Sequence, residues 1–505
     1  MTNVKEKKKK NSLSAFSILM ILLAIVCLFS VFLNGSTISS KIIDALDPEK
    51  YGELVETVKG GGTVTVQSAK LSDFVMAIPN GFQDAANLII FIFGIGGFIG
   101  VMMSTGALEA GIYHLVGKMK GRESKLIVIL MFLFSLGGTT YGMAEETIGF
   151  YPLITAAMVV AGFDTLVAAG TVLLGAGAGV LGSTINPFAT GAAMSSLSAV
   201  GITPNATTVM IVGAILWLTT VAAVIFFVIK YAQKVKENRA NTELTPSEIE
   251  EMNENYGQEK DQGLEFTGTH KAVLGVFAFS FVIMILSLIS YVDINFKGDE
   301  DAYLAAFGWS DFLTGQPLGY WYFAELGAWF ILASIIIAIV ARMGEKNFVD
   351  TFIAGAADLL SVALIIAVAR GITVVMSATH LDFFILDRAS QMLSGVPSFV
   401  FVPLSYLVYM LLSFLVPSTS GLAALSIPVM GPLASTLGFN PNIMIMIFCA
   451  ACGLINFITP TSGVVMGGLA AAKVEYSTYL KWVKKPFFAV MILNIIILSI
   501  CMMIF

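Results

Sequence analysis

The apolar stretches of this chain run to about 20 residues between short charged loops, the length that carries an α-helix through the hydrocarbon core of a bilayer. Lipid offers no partner to backbone N–H and C=O groups, so repeated spans of this kind must be helical. Composition agrees. Of 505 residues, 57% are hydrophobic and 12% charged, and mean hydropathy is +0.85. Average soluble chains carry about twice that charge. The expected fold is an all-α integral membrane protein with about nine full crossings. A net charge of −6 offers no basic surface, so nucleic acid is not an expected partner and the lipid bilayer is.

The Lys/Arg bias sets an orientation. The first apolar run, Ser12 to Leu33, follows Lys5, Lys7, Lys8, Lys9 and Lys10. It is too long for a signal-peptide core, and Leu33-Asn34-Gly35-Ser36 is a poor cleavage site, so a retained first helix with a cytoplasmic N-terminus is expected. Gly35 to Gln83 then lies outside, and a helix from about Asn87 to Met103 returns to Lys118, Lys120, Arg122 and Lys125. A helix over Thr207 to Ile229 ends inside at Lys230, Lys234 and Lys236. Residues 231–270 read as a cytoplasmic linker in which Thr245-Pro246-Ser247-Glu248 starts a helix. Residues 271–320 read as a connecting helix and an external loop holding Asp299, Glu300 and Asp301. Trp321 to Val340 returns to Arg342 and Lys346, and Thr351 to Met376 goes out. The last helix, about Phe487 to Ile504, follows Lys481, Lys484 and Lys485 and places the C-terminus outside. The alternation closes only if 126–162 and 397–438 enter and leave on one side, as re-entrant hairpins from opposite faces.

Two halves match weakly. Ala86-Asn87-Leu88 matches Ala357-Asp358-Leu359, and Gly100 matches Gly371 at the same offset. Thr139-Thr140-Tyr141-Gly142 resembles Ser418-Thr419-Ser420-Gly421. Pro152 and Pro428 each stand ten residues before a Gly-Phe pair. Two interrupted helices follow, broken at Ser183-Thr184-Ile185-Asn186-Pro187 and at Asn456-Phe457-Ile458-Thr459-Pro460. Similar halves of opposite orientation are the signature of an inverted-repeat carrier. The first repeat spans 1–230, with hairpin 126–162 and broken helix 165–199; the second spans 321–505, with hairpin 397–438 and broken helix 442–472.

Irregular backbone at membrane depth survives only where protein or a watery cavity satisfies it. Taken singly, each break reads equally as a proline kink or a small-residue packing seam. A symmetric pair beside paired hairpins reads as a substrate site. Helix N-termini at the tips suit a carboxylate, with Thr139, Thr140, Ser418, Thr419 and Ser420 beside them. The breaks add Ser183, Thr184, Asn186 and Thr190 in one half, and Asn456, Thr459, Thr461 and Ser462 in the other. Exposed carbonyls there suit a cation or an ammonium group.

Ionisable groups at membrane depth are functional candidates by default. Glu145-Glu146 lies at the first tip, where the second has Ala423-Ala424-Leu425. Adjacent residues on a helix point about 100° apart, so one carboxylate is expected to meet cargo or carry a proton while the other caps a helix or pairs with Arg. Arg370 either neutralises one of them or receives a substrate carboxylate. Asp358 lies near the cytoplasmic end, where a cap and a functional role weigh equally. His114 and His270 read as interfacial, and His380, with Asp382, as structural. Cys449-Ala-Ala-Cys452 has redox spacing, but without a second pair or a nearby histidine it reads as small apolar packing. No metal-ligand spacing, phosphate loop or nucleophile–base pair stands out, so no cofactor and no enzyme activity are expected; Na+ or H+ remains open as a coupling ion.

With these residues in hand, the chain resembles the C4-dicarboxylate anaerobic carrier family of the ion transporter superfamily, and more closely its YfcC branch, which includes bacterial arginine/ornithine exchangers. The carrying motifs are Gly137-Gly138-Thr139-Thr140-Tyr141-Gly142-Met143-Ala144-Glu145-Glu146-Thr147, Gly182-Ser183-Thr184-Ile185-Asn186-Pro187-Phe188-Ala189-Thr190-Gly191, Ala356-Ala357-Asp358-Leu359-Leu360-Ser361, Pro417-Ser418-Thr419-Ser420-Gly421 and Pro460-Thr461-Ser462-Gly463. The resemblance covers nearly the whole chain except 35–83 and 231–270. It implies an elevator-type secondary transporter in a bacterial inner membrane. A homodimeric scaffold would flank a mobile part that holds both hairpins and both broken helices. The cargo would be a small molecule, either a basic amino acid or a dicarboxylate. The acid pair favours the first, since a dianion beside it would meet like charges in low dielectric.

Overall fold

The computed structural model describes residues 15–44, 48–107, 110–111, 123–256, 266–288, 291–292, 296, 299–394 and 396–505. Lys5 to Lys10, His114, Lys118, Lys120 and Arg122 lie outside these. The described chain is helical, with one isolated bridge pairing Thr37 and Thr65. Beside the short helices Ser40–Asp44, Pro48–Lys59 and Glu300–Phe307, the helices are α1 (Ala15–Phe32), α2 (Leu71–Asp84), α3 (Ala86–Ser104), α4 (Glu123–Tyr141), α5 (Tyr151–Val160), α6 (Thr165–Gly182), α7 (Ala192–Ala199), α8 (Ala206–Glu237), α9 (Pro246–Tyr256), α10 (Gly268–Leu288), α11 (Phe323–Val340), α12 (Glu345–Asp358), α13 (Leu360–Ala378), α14 (Leu381–Leu393), α15 (Ser398–Leu415), α16 (Thr419–Thr436), α17 (Pro441–Ile455), α18 (Gly463–Ala471) and α19 (Tyr476–Ile504). Among the described residues, seven helices are long and apolar enough to cross a membrane: α3, α6, α8, α10, α11, α13 and α19. The apolar parts of α1, α4, α15 and α17 are shorter. For α4, α15 and α17 the helix ends where Gly142, Pro417 or Pro460 soon follows.

The helices pack as two bodies. In the first, α13 lies along α2, α3 along α11 and α12, with α1 on α13 and α10 on α11. In the second, α6 is central, surrounded by α4, α5, α8 and α17, while α15 and α16 pack on α17, α7 on α16, and α19 on α8 and α17. The bodies meet where α18 and the turn after Gly142 touch α13 and α3. Burial follows this layout: in α6, Leu166 to Leu174 is buried on every side, as a helix surrounded by other helices requires.

Two crossings in the first body mirror each other. A Cβ on Gly81 of α2 would lie 2.1 Å from the Ala367 carbonyl oxygen and 2.3 Å from the Gly371 nitrogen of α13. A Cβ on Gly355 of α12 would lie 2.4 Å from the Gly96 carbonyl oxygen and 2.9 Å from the Gly100 Cα of α3. Only glycine admits backbones this close. Each crossing belongs to a broken pair: α2–α3 breaks at Ala85 (φ −96°, ψ 9°) and α12–α13 at Leu359 (φ −98°, ψ 5°).

Three expectations are corrected here. The breaks align the halves three residues away from the sequence register, Ala85 with Leu359. A shift of three keeps nearly the same helix face, so the false register still looked coherent. The stretch 71–83, expected in an external polar region, is helix packed on α13, and Thr351–Met376, expected as one helix, is two. Other parts of 35–83 are tied down: Thr65 O lies 3.1 Å from His380 Nδ1, and the Gln67 N–H donates to Thr379 O at 2.9 Å.

The linker is docked against the second body. Its helix α9 starts with a reciprocal cap, the Thr245 N–H donating to Glu248 Oε2 at 2.7 Å and the Glu248 N–H to Thr245 Oγ1 at 3.4 Å. The same buried carboxylate accepts from the Glu475 N–H (2.7 Å) and the Thr478 hydroxyl (2.9 Å). Asp164, the N-cap of α6, accepts from Tyr231 (2.7 Å) and Thr242 (2.6 Å).

Candidate functional site

At the first tip α4 ends at Tyr141, and Gly142 turns the chain at φ +81°, a region that favours glycine. A Cβ there would also meet the Asn186 side chain at 2.6 Å. A 3-10 turn, Glu145–Phe150, then leads into α5. Glu146 is buried, and its Oε2 accepts the Ala144 N–H at 3.0 Å. The Thr147 hydroxyl donates to Ala144 O at 2.6 Å. Glu146 therefore caps the tip, while Glu145, half-buried, is left to face the open space beside it.

The second tip is simpler. After Val416-Pro417, Ser418 caps α16 directly, its Oγ accepting the Gly421 N–H at 3.2 Å. Thr419 and Ser420 follow in the first turn of that helix.

The two broken helices are stitched to these hairpins. Ser183 adopts a left-handed conformation (φ 41°), ending α6. Thr139 then meets the exposed backbone: the Thr184 N–H donates to Thr139 Oγ1 (3.1 Å), the Thr184 hydroxyl to Thr139 O (3.0 Å) and the Ile185 N–H to Thr139 O (3.2 Å). The Asn186 side chain accepts from the Phe188 N–H (2.9 Å) and donates to Ser183 Oγ (3.1 Å). In the other half, the Thr459 and Thr461 hydroxyls pair at 2.7 Å, and Thr461 donates to Phe414 O at 3.4 Å.

Between the two bodies lies a cleft of about 140 Å³. It receives Glu145, Glu146 and Asn186 from the first repeat, and Ser418, Thr419, Ser420, Asn456, Thr461 and Ser462 from the second. Its opposite wall is the first body: Leu88 of α3, Tyr322 and Phe323 at the start of α11, and Ile366, Ala369 and Arg370 of α13. Arg370 Nε lies 3.7 Å from Asp84 Oδ2 at the end of α2. The guanidinium, both carboxyl groups and Tyr322 all line this one cleft. The rings of Phe188 and Tyr322 close one side, 5.7 Å apart at 46°.

Six residues expected at the site do not line this cleft: Thr139, Thr140, Ser183, Thr184, Thr190 and Thr459. Their hydroxyls serve the backbone instead. Thr140 sits in the last turn of α4 and donates to Leu136 O at 2.7 Å. It is at a helix C-terminus, so it cannot frame an anion as Ser418 can. Thr190 donates to Asn186 O at 2.9 Å, and Ser183 to Val180 O. Thr140, Thr184 and Thr190 border a second, apolar cavity of about 1140 Å³ with Leu133, Phe134, Met194 and Ile285. Asp358 is exposed at the end of α12, away from the cleft. Conversely, Asp84, Phe188, Tyr322 and Phe323 carried no sequence signal. Tyr320-Trp321-Tyr322-Phe323 reads as an interfacial aromatic belt, and Asp84 as the edge of a polar loop.

The cleft has two poles. Ser418 and Ser462 begin α16 and α18, and both helix N-termini open into it. Gly463 and Val464 line the space, and Ser462 makes no side-chain cap, so N–H groups of the first turn of α18 are presented there. With Arg370 they make the basic side of the cleft, and Glu145 and Glu146 make its acidic side. Among the described residues no three His, Cys, Asp or Glu side chains gather as a metal site.

Residues 12–503 match the model of the C4-dicarboxylate anaerobic carrier family. An uncharacterised protein of Haemophilus influenzae is 31% identical over 416 residues, covering 82% of this chain and 75% of that protein. The Escherichia coli K12 protein YfcC, provisionally named a basic amino acid antiporter, is 25% identical over 415 residues, covering 79% and 74%. The crystal structure of the YdaH transporter of Alcanivorax borkumensis superposes with a TM-score of 0.43 at 14% identity, over 96% of this chain and 97% of that one.

Proposed function

This chain is a membrane transporter of the C4-dicarboxylate anaerobic carrier family, and on that premise we propose that its cargo is a basic amino acid of the arginine or ornithine type, moved by exchange. The observation that carries the reading is the pairing of poles in one cleft. Glu145 turns a carboxylate to the cleft, while Ser418, the start of α18 and Arg370 offer groups for an α-carboxylate. A dicarboxylate would satisfy the second pole and be repelled by the first, a cost of several kcal/mol at low dielectric. The name of YfcC points the same way. The hairpin body, α4–α8 with α15–α19, would carry the cargo past the first body in an elevator-like alternation. The first body would form the homodimer, with the N-terminus in the cytoplasm of a bacterial cell and the C-terminus outside.

The test is counterflow. Proteoliposomes preloaded with ornithine should accumulate external labelled arginine transiently, and no accumulation with any basic amino acid would sink the proposal. A second reading has its own observation: Arg370 and two helix N-termini face one cleft, as a carrier for a carboxylate coupled to Na+ or H+ would arrange them. Succinate counterflow that survives Glu145→Gln would favour it.

A further inference from the structure

The fixed and the moving groups of the cleft come from different bodies, and this bears on why transport should be exchange rather than net flow. Glu145 and Glu146 belong to the hairpin body; Arg370 belongs to α13, which packs on α2, α3 and α1. Resting on the basic-amino-acid reading, we propose that Arg370, restrained by Asp84, is the fixed countercharge that holds an empty hairpin body in place and so couples inward to outward flux.

An empty hairpin body presents two carboxyl groups, Glu145 and Glu146, to the cleft. Arg370 faces them across the body interface, lining the same cleft. Moving the empty body would pull both carboxyl groups away from Arg370, the one cation among the described residues that line the cleft, and along apolar wall such as Leu88 and Ile366. A charge without a partner is most costly there. A diamino acid brings its own cations to the carboxylates. It also brings a carboxylate that competes for the guanidinium, so the loaded body is released. Asp84 tempers the hold. At 3.7 Å from Nε it takes part of the guanidinium's field. A hold without Asp84 would be tighter, and one without Arg370 would be absent.

The experiment compares two effluxes from proteoliposomes loaded with labelled arginine, one into buffer alone and one into buffer with unlabelled arginine. Wild type should release into empty buffer at under about a tenth of its exchange rate, a gap one ion pair can set. Arg370→Gln should raise the ratio of net efflux to exchange about tenfold, whatever it does to the exchange rate itself. Arg370→Lys should keep a ratio near wild type. Asp84→Asn should move the other way, slowing exchange a few-fold and lowering the ratio. A wild-type ratio in Arg370→Gln, or a raised ratio in Asp84→Asn, overturns the latch. If Arg370→Gln carries neither flux, labelling of Ser420→Cys by a membrane-impermeant thiol reagent decides, read above the background of the native cysteines. Without cargo, labelling from one side only in the wild-type background and from both in Arg370→Gln supports the latch; one-sided labelling in both overturns it. Free efflux from wild type into empty buffer overturns the latch and leaves the cargo reading intact. Wild-type counterflow with succinate and with no basic amino acid removes both.

Discussion

The two hairpin tips follow similar paths and differ in chemistry. At the second, Ser418 caps α16 with its own hydroxyl, and Thr419 and Ser420 continue the helix, all neutral. At the first, the chain must turn at Gly142, and the cap comes from Glu146 reaching back to the Ala144 N–H. A neutral cap suits any carboxylate, but an acidic one beside a second acid requires a cation. The first body shows the reverse. Its two glycine crossings, Gly81 on Gly371 and Gly355 on Gly96 and Gly100, are near copies. Symmetry is kept where backbones must cross and lost where cargo would bind.

The strongest way to break that comparison is at the crossings. Gly81→Ala and Gly355→Ala should each lower stability by more than about 3 kcal/mol, because the added Cβ meets backbone atoms that cannot move aside alone. Detergent-solubilised protein followed by size-exclusion and thermal unfolding would show it. Tolerance of one substitution and not the other would mean that the crossings are not equivalent.

At the tips the expectation inverts, because matched changes should give unmatched results. Glu145→Gln should lower kcat/KM for a basic amino acid by about 100-fold, the worth of a charge-assisted contact in a shielded cleft, and should lower that for an uncharged analogue by much less. Ser418→Ala should lower both by about tenfold, since its target is the carboxylate that both share. Labelled uptake over a range of concentrations separates the two. Glu146→Gln should act through the tip itself, lowering stability by about 1–2 kcal/mol and reducing transport of both cargoes alike. A cargo-selective loss in Glu146→Gln, with none in Glu145→Gln, would reverse the roles given to the pair.

The long apolar helices and the two proline breaks were legible because bilayer thickness and proline leave direct marks in a sequence, whereas the breaks at Ala85 and Leu359 were not. The acid pair was legible because charge at that depth is rare. What could not be read was direction. Thr139-Thr140 and Ser418-Thr419 look alike as strings, yet one ends a helix and the other begins one. A hydroxyl offers the same atoms in either place; only the helix it borders decides whether it faces free N–H or free C=O groups. Arg370 was legible as a charge, but not as a member of the opposite wall. Asp84, Phe188 and Tyr322 stayed hidden because contact between bodies is a property of packing, which no local pattern of one chain segment encodes.

The stitches between hairpin and broken helix offer the finest test of how far the two halves diverge. In the first half Thr139 serves three groups of the break, two through its carbonyl and one through its hydroxyl, all within 3.2 Å. In the second, Thr461 reaches Phe414 O only at 3.4 Å and leans on Thr459. Thr139→Val removes the acceptor for the buried Thr184 N–H and should cost about 2 kcal/mol. Thr461→Val loses a long bond and a hydroxyl that Thr459 can partly replace, so about 1 kcal/mol is expected. Unfolding midpoints of the two variants side by side would settle the order. Equal losses would place the asymmetry of this molecule in its charges alone; a larger loss at Thr139 would extend it to the backbone that holds those charges in position.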